Sequence, residues 1–266
     1  MAAGASTAER GAVRRQGPPG PPLLRRLGPR RLRLALALAV AAVLLAAGGA
    51  WVLYGSSWLR VERVAVSGTD VLTPDQVRDA ARVPVGSPLV SIDTDAIRSR
   101  LERALPRVDE VDVSRSWPHG VVLKVTERVP VLLIRHGAGY TEVDDEGVRF
   151  ATVPQPPEGA PLLELALSNS GSTAASLRRF GEDRLVREAV RAAGSLPSAV
   201  LKSTKTVKVR SYDDISLDLA DGRTVSWGSS EKGAAKSRAL SALMKAQPDA
   251  RHFDVSVPTA PASAGS

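Results

Sequence analysis

The sequence predicts an α+β protein: a single N-terminal transmembrane helix, then two folded domains. Three observations predict it. Leu34 to Tyr54 is an uncharged apolar run of 21 residues, about 31 Å long as a helix, which matches the ~30 Å hydrocarbon core of a bilayer. Residues 59–129 then carry signals in the order strand, helix, helix, strand, strand. From 130 to 258, short β-type runs separated by Asp and Gly turns outnumber helical ones. The second domain is therefore expected to be mixed α/β, built on an antiparallel-rich sheet.

The charge around the apolar run sets its direction. Residues 1–33 hold eight arginines and one acid, Glu9, whereas only Arg60 and Arg63 lie close on the other side. The positive-inside bias puts the N-terminus in the cytoplasm and residues 55–266 outside. A cleaved signal peptide is the rival, with small residues at Ala46 to Ala50. However, signal cores run roughly 7–15 residues, and a 33-residue leader before one is unusual. An uncleaved anchor in the membrane lipid at 34–54 is the reading. Residues 1–33 also account for +7 of the net charge of +8. The exported part is nearly neutral, which argues against a nucleic-acid partner. Gly17 to Pro22 is Gly and Pro alone, and this tail cannot bury enough to fold.

In the first domain, Val61 to Val66 reads as a strand stopped by Ser67-Gly68. Thr73-Pro74-Asp75-Gln76 predicts a helix start, with Thr73 as cap, Pro74 first and Gln76 closing a capping box. That helix runs out near Arg82. A second begins after Asp93, with Ile97, Leu101, Ala104 and Leu105 on one face, and Pro106 ends it. Val111 and Val113 alternate with polar residues, as do Val121, Leu123 and Val125. Between them Trp117-Pro118-His119-Gly120 turns the chain, with Gly120 expected to take a backbone angle costly for other residues.

The second domain opens with a strand at Val131 to Arg135, a turn at Asp145-Glu146-Gly147 and a strand at Val148 to Phe150. A proline-rich crossing follows at 154–161. Leu185, Val186, Ala189 and Val190 give Glu182 to Ala193 a helical pattern. Strands are expected at Thr206–Arg210, Ile215–Leu219 and Arg223–Trp227, joined at Asp213-Asp214 and Asp221-Gly222. Ser229 or Ser230 should cap a last helix that turns Leu240, Leu243 and Met244 inward. The chain closes on a strand from Phe253 to Val257, and residues 259–266 read as a flexible tail.

Residues for chemistry are sparse. Without cysteine there is no disulfide and no thiolate site. His119, His136 and His252 lack the three- or four-residue spacing of a helical metal pair. Ser229-Ser230-Glu231-Lys232 fits the S-x-x-K pattern of penicillin-recognising acyl-enzymes. Its companions are missing: Asn169 follows Leu167 instead of a serine at that spacing, and Lys205-Thr206 precedes Val207. The serines read better as helix caps. The acidic pairs sit in or beside turns, where carboxylates bond backbone amides. Trp117 and Trp227 both end strands beside Pro or Gly, as core or turn packing. No catalytic residue, metal or cofactor is expected.

The ordered set Val64-Ala65-Val66-Ser67-Gly68, Ser114 to Gly120 and Val125-Thr126-Glu127-Arg128-Val129-Pro130 resembles the POTRA domain of the FtsQ/DivIB cell-division proteins. Asp221 to Gly228, the helix with Lys236, and Phe253 to Pro258 resemble that family's C-terminal β-domain. The resemblance implies a non-catalytic divisome scaffold at the septum. Its implied partners are FtsB/DivIC-like and FtsL-like bitopic proteins, met outside the cytoplasmic membrane. In this chain Ser256 stands where many relatives have arginine. The expected docking site is strand addition along Phe253, Asp254, Val255, Ser256 and Val257, because the last strand leaves one side free. Trp117, Pro118 and Gly120 are expected to be structural. The alternative is an extracytoplasmic wall enzyme, or an activator of one, without a recognisable motif.

Overall fold

The computed structural model describes residues 29–165 and 181–265. The proline-rich tail and the Leu167–Asn169 stretch lie outside the described residues. The chain divides into two units, residues 1–55 and 56–266. In the first, helix α1 spans Pro29–Ala50 and runs on as a π-helical turn, Trp51–Gly55. The whole predicted span is therefore helical, and it is long and apolar enough to cross a membrane.

The second unit begins with a three-stranded sheet in the order β1-β3-β2. Strands β1 (Arg63–Ser67) and β3 (Gly120–Glu127) are parallel, and β2 (Val108–Ser116) is antiparallel to β3. Helices α2 (Pro74–Ala81) and α3 (Thr94–Ala104) connect β1 to β2. The capping box forms as written: Thr73 Oγ1 accepts from Gln76 N at 3.2 Å, and Gln76 Oε1 accepts from Thr73 N at 2.9 Å. Asp93 caps α3 by one bond only, its Oδ1 accepting from Ala96 N at 2.9 Å. Val77, Ala81, Ile97 and Leu101 pack on Val111, Val121 and Leu123. Ala104 is exposed, because α3 ends there and its last turn leaves the core.

Beyond it lies a nine-stranded sheet in the order β12-β11-β10-β9-β8-β7-β4-β5-β6. From the middle to one edge run β8 (Thr204–Ser211), β7 (Leu162–Leu165), β4 (Leu132–His136), β5 (Gly139–Val143) and β6 (Arg149–Val153). Toward the other run β9 (Asp214–Leu219), β10 (Thr224–Gly228), β11 (His252–Asp254) and β12 (Ala262–Ala264). Five neighbouring pairs are antiparallel; β4–β7, β7–β8 and β10–β11 are parallel. Helix α4 (Glu182–Gly194) lays a fully buried face into the core, and α5 (Ser198–Ser203) feeds β8. Helix α6 (Gly233–Ala246) buries Leu240, with Leu243 and Met244 half-buried beside it.

Several expectations change. Strands β5, β7 and β12 and helix α5 had no reading in the sequence. Residues 262–264 are paired as a strand, where a flexible tail was expected. Gly120 is not in the left-handed region; space is what limits it, since a Cβ there would lie 3.1 Å from Ser116 O. Ser229 and Ser230 do not cap α6. Lys232 does, with φ 55° and no side-chain bond, while Ser230 Oγ donates to Glu188 of α4.

Candidate partner-binding edge

The C-terminal edge of the large sheet is built from β10 outward. β11 lies parallel to β10, pairing Thr224 with His252, Val225 with Phe253 and Ser226 with Asp254. Thr224 N donates to Arg251 O and Val255 N to Ser226 O, each at 2.9 Å, which carries the pairing one residue past each end. Phe253 and Val255 are fully buried and hold the strand down. The opposite face carries His252, whose Nδ1 lies 2.8 Å from Thr224 Oγ1.

The strand ends by a local device. Asp254 Oδ1 accepts from Ser256 N at 2.9 Å and from Ser256 Oγ at 2.6 Å, an Asx-type turn. Those bonds, the Ser256 hydroxyl foremost, hold the Asp254 carboxyl below the usual carboxylate range against its partial burial. Ser256 comes so close to β10 that a Cβ on Gly228, itself at φ 75°, would lie 2.9 Å from its Cβ. Glycine is required at 228 on both counts.

Beneath the edge, Lys236 is 2% exposed. Its Nζ donates to Trp227 O at 2.9 Å and Ser229 O at 2.7 Å, tying α6 to the end of β10. Burial pulls its ammonium below the usual lysine range, opposed by the fields of Glu231, Asp213 and Asp254. Lys232, the lysine of the S-x-x-K match, is exposed at the helix cap.

The predicted docking strand is therefore not the outermost one. β12 pairs antiparallel along β11, setting Ala262 against Asp254, Ser263 against Phe253 and Ala264 against His252. Of the five predicted residues, Phe253 and Val255 are core, Asp254 is half-buried, and Ser256 and Val257 are exposed. The free side of the sheet here belongs to β12, whose two alanines are exposed. Sequence reasoning missed β12 because nothing in Ala-Ser-Ala favours a strand. It also left Lys236 without a role, although Lys236, Leu240 and Leu243 share one helical face.

A second constellation joins the two domains. Arg107 and Arg128, from the first, bond Glu142 and Asp144 of the second, and all four side chains are largely buried. Arg128 also faces Asp109 at 3.2 Å and Glu146 at 3.6 Å. Burial opposes its charge, and these carboxylates, Asp144 first, outweigh burial and raise its pKa.

The matches to known sequences fall on the same boundaries. The profile described as POTRA domain, FtsQ-type, covers residues 59–128, and that of the cell division protein FtsQ/DivIB, C-terminal, covers 132–257. The chain belongs to the FtsQ/DivIB cell-division family. The cell division protein FtsQ of Streptomyces coelicolor is 68% identical over 264 residues, spanning 99% of this chain and 100% of its own. That of Streptomyces venezuelae is 54% identical over 275 residues, covering both chains fully. A more distant FtsQ, from Mycobacteroides abscessus, is 32% identical over 85% of this chain and 68% of its own. The major extracytoplasmic domain of Geobacillus stearothermophilus DivIB aligns with 46% of this chain and 96% of its own. At 18% identity and a TM-score of 0.33, that likeness is too slight to argue from. With one helix among the described residues long and apolar enough to cross a membrane, this FtsQ/DivIB-family chain fits a bitopic membrane protein.

Proposed function

We propose that this chain is a non-enzymatic scaffold of the bacterial division machinery. It is anchored by residues 34–54 with its N-terminus in the cytoplasm, and it acts at the septum. Its extracytoplasmic part links early and late division proteins and docks FtsB/DivIC-like and FtsL-like bitopic partners. The mode is strand addition at the C-terminal edge, with β11 and its continuation through Val257 as the support and β12 as the strand the partner meets. The observation that carries this reading is the outer side of β12, unpaired among the described residues, uncharged and lined with small side chains. A main-chain ladder supplies affinity there, and small side chains let a second strand approach.

The test is proline at Ser263, whose N–H is the β12 donor turned away from β11, and, separately, lysine at Ala262 as an edge guard. Binding of the partner's extracytoplasmic segment is measured beside thermal melting. Variants that melt like the parent and lose binding support the reading. If both stay folded and bind normally, this edge is not the docking site. Reporter fusions after Ser266 test the topology: an export-active reporter should work and a cytoplasm-active one should stay dark.

A further inference from the structure

The first domain carries an apolar patch at the end where the chain enters it. Trp58, Val85 and Trp117 are 67%, 66% and 52% exposed. They come from three separate segments, and each lies within two residues of a group tied to residues 60–63. Arg60 pairs with Pro88 and sends its guanidinium to Gly86 O at 2.7 Å. Val61 exchanges backbone bonds with Gly86 and Ser87. Glu62 N and Arg63 N both donate to His119 O, at 2.8 and 3.2 Å. The sequence reads Trp117 as core or turn packing; it lies in the turn, with its indole half in solvent at the tip of the β2–β3 hairpin. The other exposed apolar residues of this domain, Val71 and Val129, lie by Glu127 at the far end of β3, about 23 Å along the strand.

On the membrane-anchor reading, chain length limits how far this end can stand from where the apolar helix leaves the bilayer. The helical run ends at Gly55 and the domain is gripped from Arg60, so five residues reach at most about 18 Å. We propose that Trp117, with Trp58 and Val85, seats in the headgroup–acyl boundary of the leaflet from which the domain emerges. This rests on the membrane-anchor reading above. An indole, apolar with one N–H, is the side chain that favours that boundary. Arg60 and Arg63 stand at the same end to meet lipid phosphates, with Glu62 as the one acid among them. The tether makes the contact intramolecular, so a small patch is enough. Three side chains on separate segments are too few for a protein interface of ordinary size.

The chain has no cysteine, so a single introduced thiol is unique. Full-length Ser116→Cys, Val85→Cys and Val129→Cys, each carrying an environment-sensitive fluorophore, go into vesicles of phosphatidylcholine and phosphatidylglycerol with nitroxide-labelled lipid. The first two should be quenched about twofold or more above the third. Adding Trp117→Glu to Val85→Cys should bring its quenching down to the Val129 level. Equal quenching at all three positions overturns the proposal. So does shielding that appears only when a partner's extracytoplasmic segment is added, which makes the patch a protein site. An alkaline wash reads the anchor separately: a chain that leaves the vesicles there overturns the anchor reading, and this one with it.

Discussion

The two ends of the nine-stranded sheet are finished in opposite ways. At β6, Arg149 reaches Glu182 at 2.7 Å and Asp183 at 2.6 Å in the first turn of α4. Acids there also suit the helix dipole. Pro154, Pro156 and Pro157 follow the strand. Charge and proline are what sheet edges use to refuse another strand. At the other end β12 carries no charge and has one proline, Pro261, just before it: it is Ala, Ser, Ala, held by three residue pairs. That difference between the two ends is what the proposed docking at β12 draws on.

Phe253→Ala should give the largest effect, because it empties a fully buried site under β11. The expected cost is about 3–5 kcal/mol, measured by urea unfolding. Hydrogen exchange should quicken first at residues 262–264. If the amides of β6 exchange as fast, the two ends are not separate. Lysine at both Ala262 and Ala264 should transfer the guard to the bare edge. Partner binding should then fall about tenfold, ~1.4 kcal/mol, with melting unchanged; unaltered binding would erase the contrast.

Ser256→Ala should cost about 0.5–1.5 kcal/mol at neutral pH, the net worth of an ordinary hydrogen bond, because Ser256 is exposed to water. Asp254 sits below its ordinary pKa through that bond. A depressed carboxylate stabilises above its unfolded pKa of about 3.9 and loses this as pH falls through the folded value. The difference between parent and variant should therefore shrink at pH 3. A gap that stays constant from pH 7 to pH 3 would mean the hydroxyl does not act through Asp254. Arg149→Ala should do least, about 0–1 kcal/mol, because its acid partners are half-exposed or more. Lost partner binding in that variant would move the docking edge to β6.

What could be read from the sequence follows how local each signal is. The capping box at Thr73, the Asp93 cap and the alternation in β2 and β3 are set within a few residues, and the small domain formed as they implied. In the second domain the signals are long-range. β7 joins the sheet only by lying parallel between β4 and β8, which come from distant parts of the chain. In β5 the apolar alternation is broken by Glu142, buried because Arg107 from the other domain neutralises it. The last strand of the sheet was not legible, since β12 exists through pairing with β11 and not through its own residues. Trp117 and Trp227 show the same limit. Both end strands, yet Trp227 is fully buried with Lys236 of α6 over its ring, whereas Trp117 is half-exposed.

The pairs Arg107–Glu142 and Arg128–Asp144 have a mechanical consequence. To swing one domain on the other, two carboxylates that are nearly sealed from water would have to lose their counter-charges, a cost of several kcal/mol each. Pro130 also sits in the short link between β3 and β4, where its ring removes a torsion. The link therefore behaves as a strut and not as a swivel. A force applied to the large sheet is passed on to the three-stranded domain and not absorbed at the link between them.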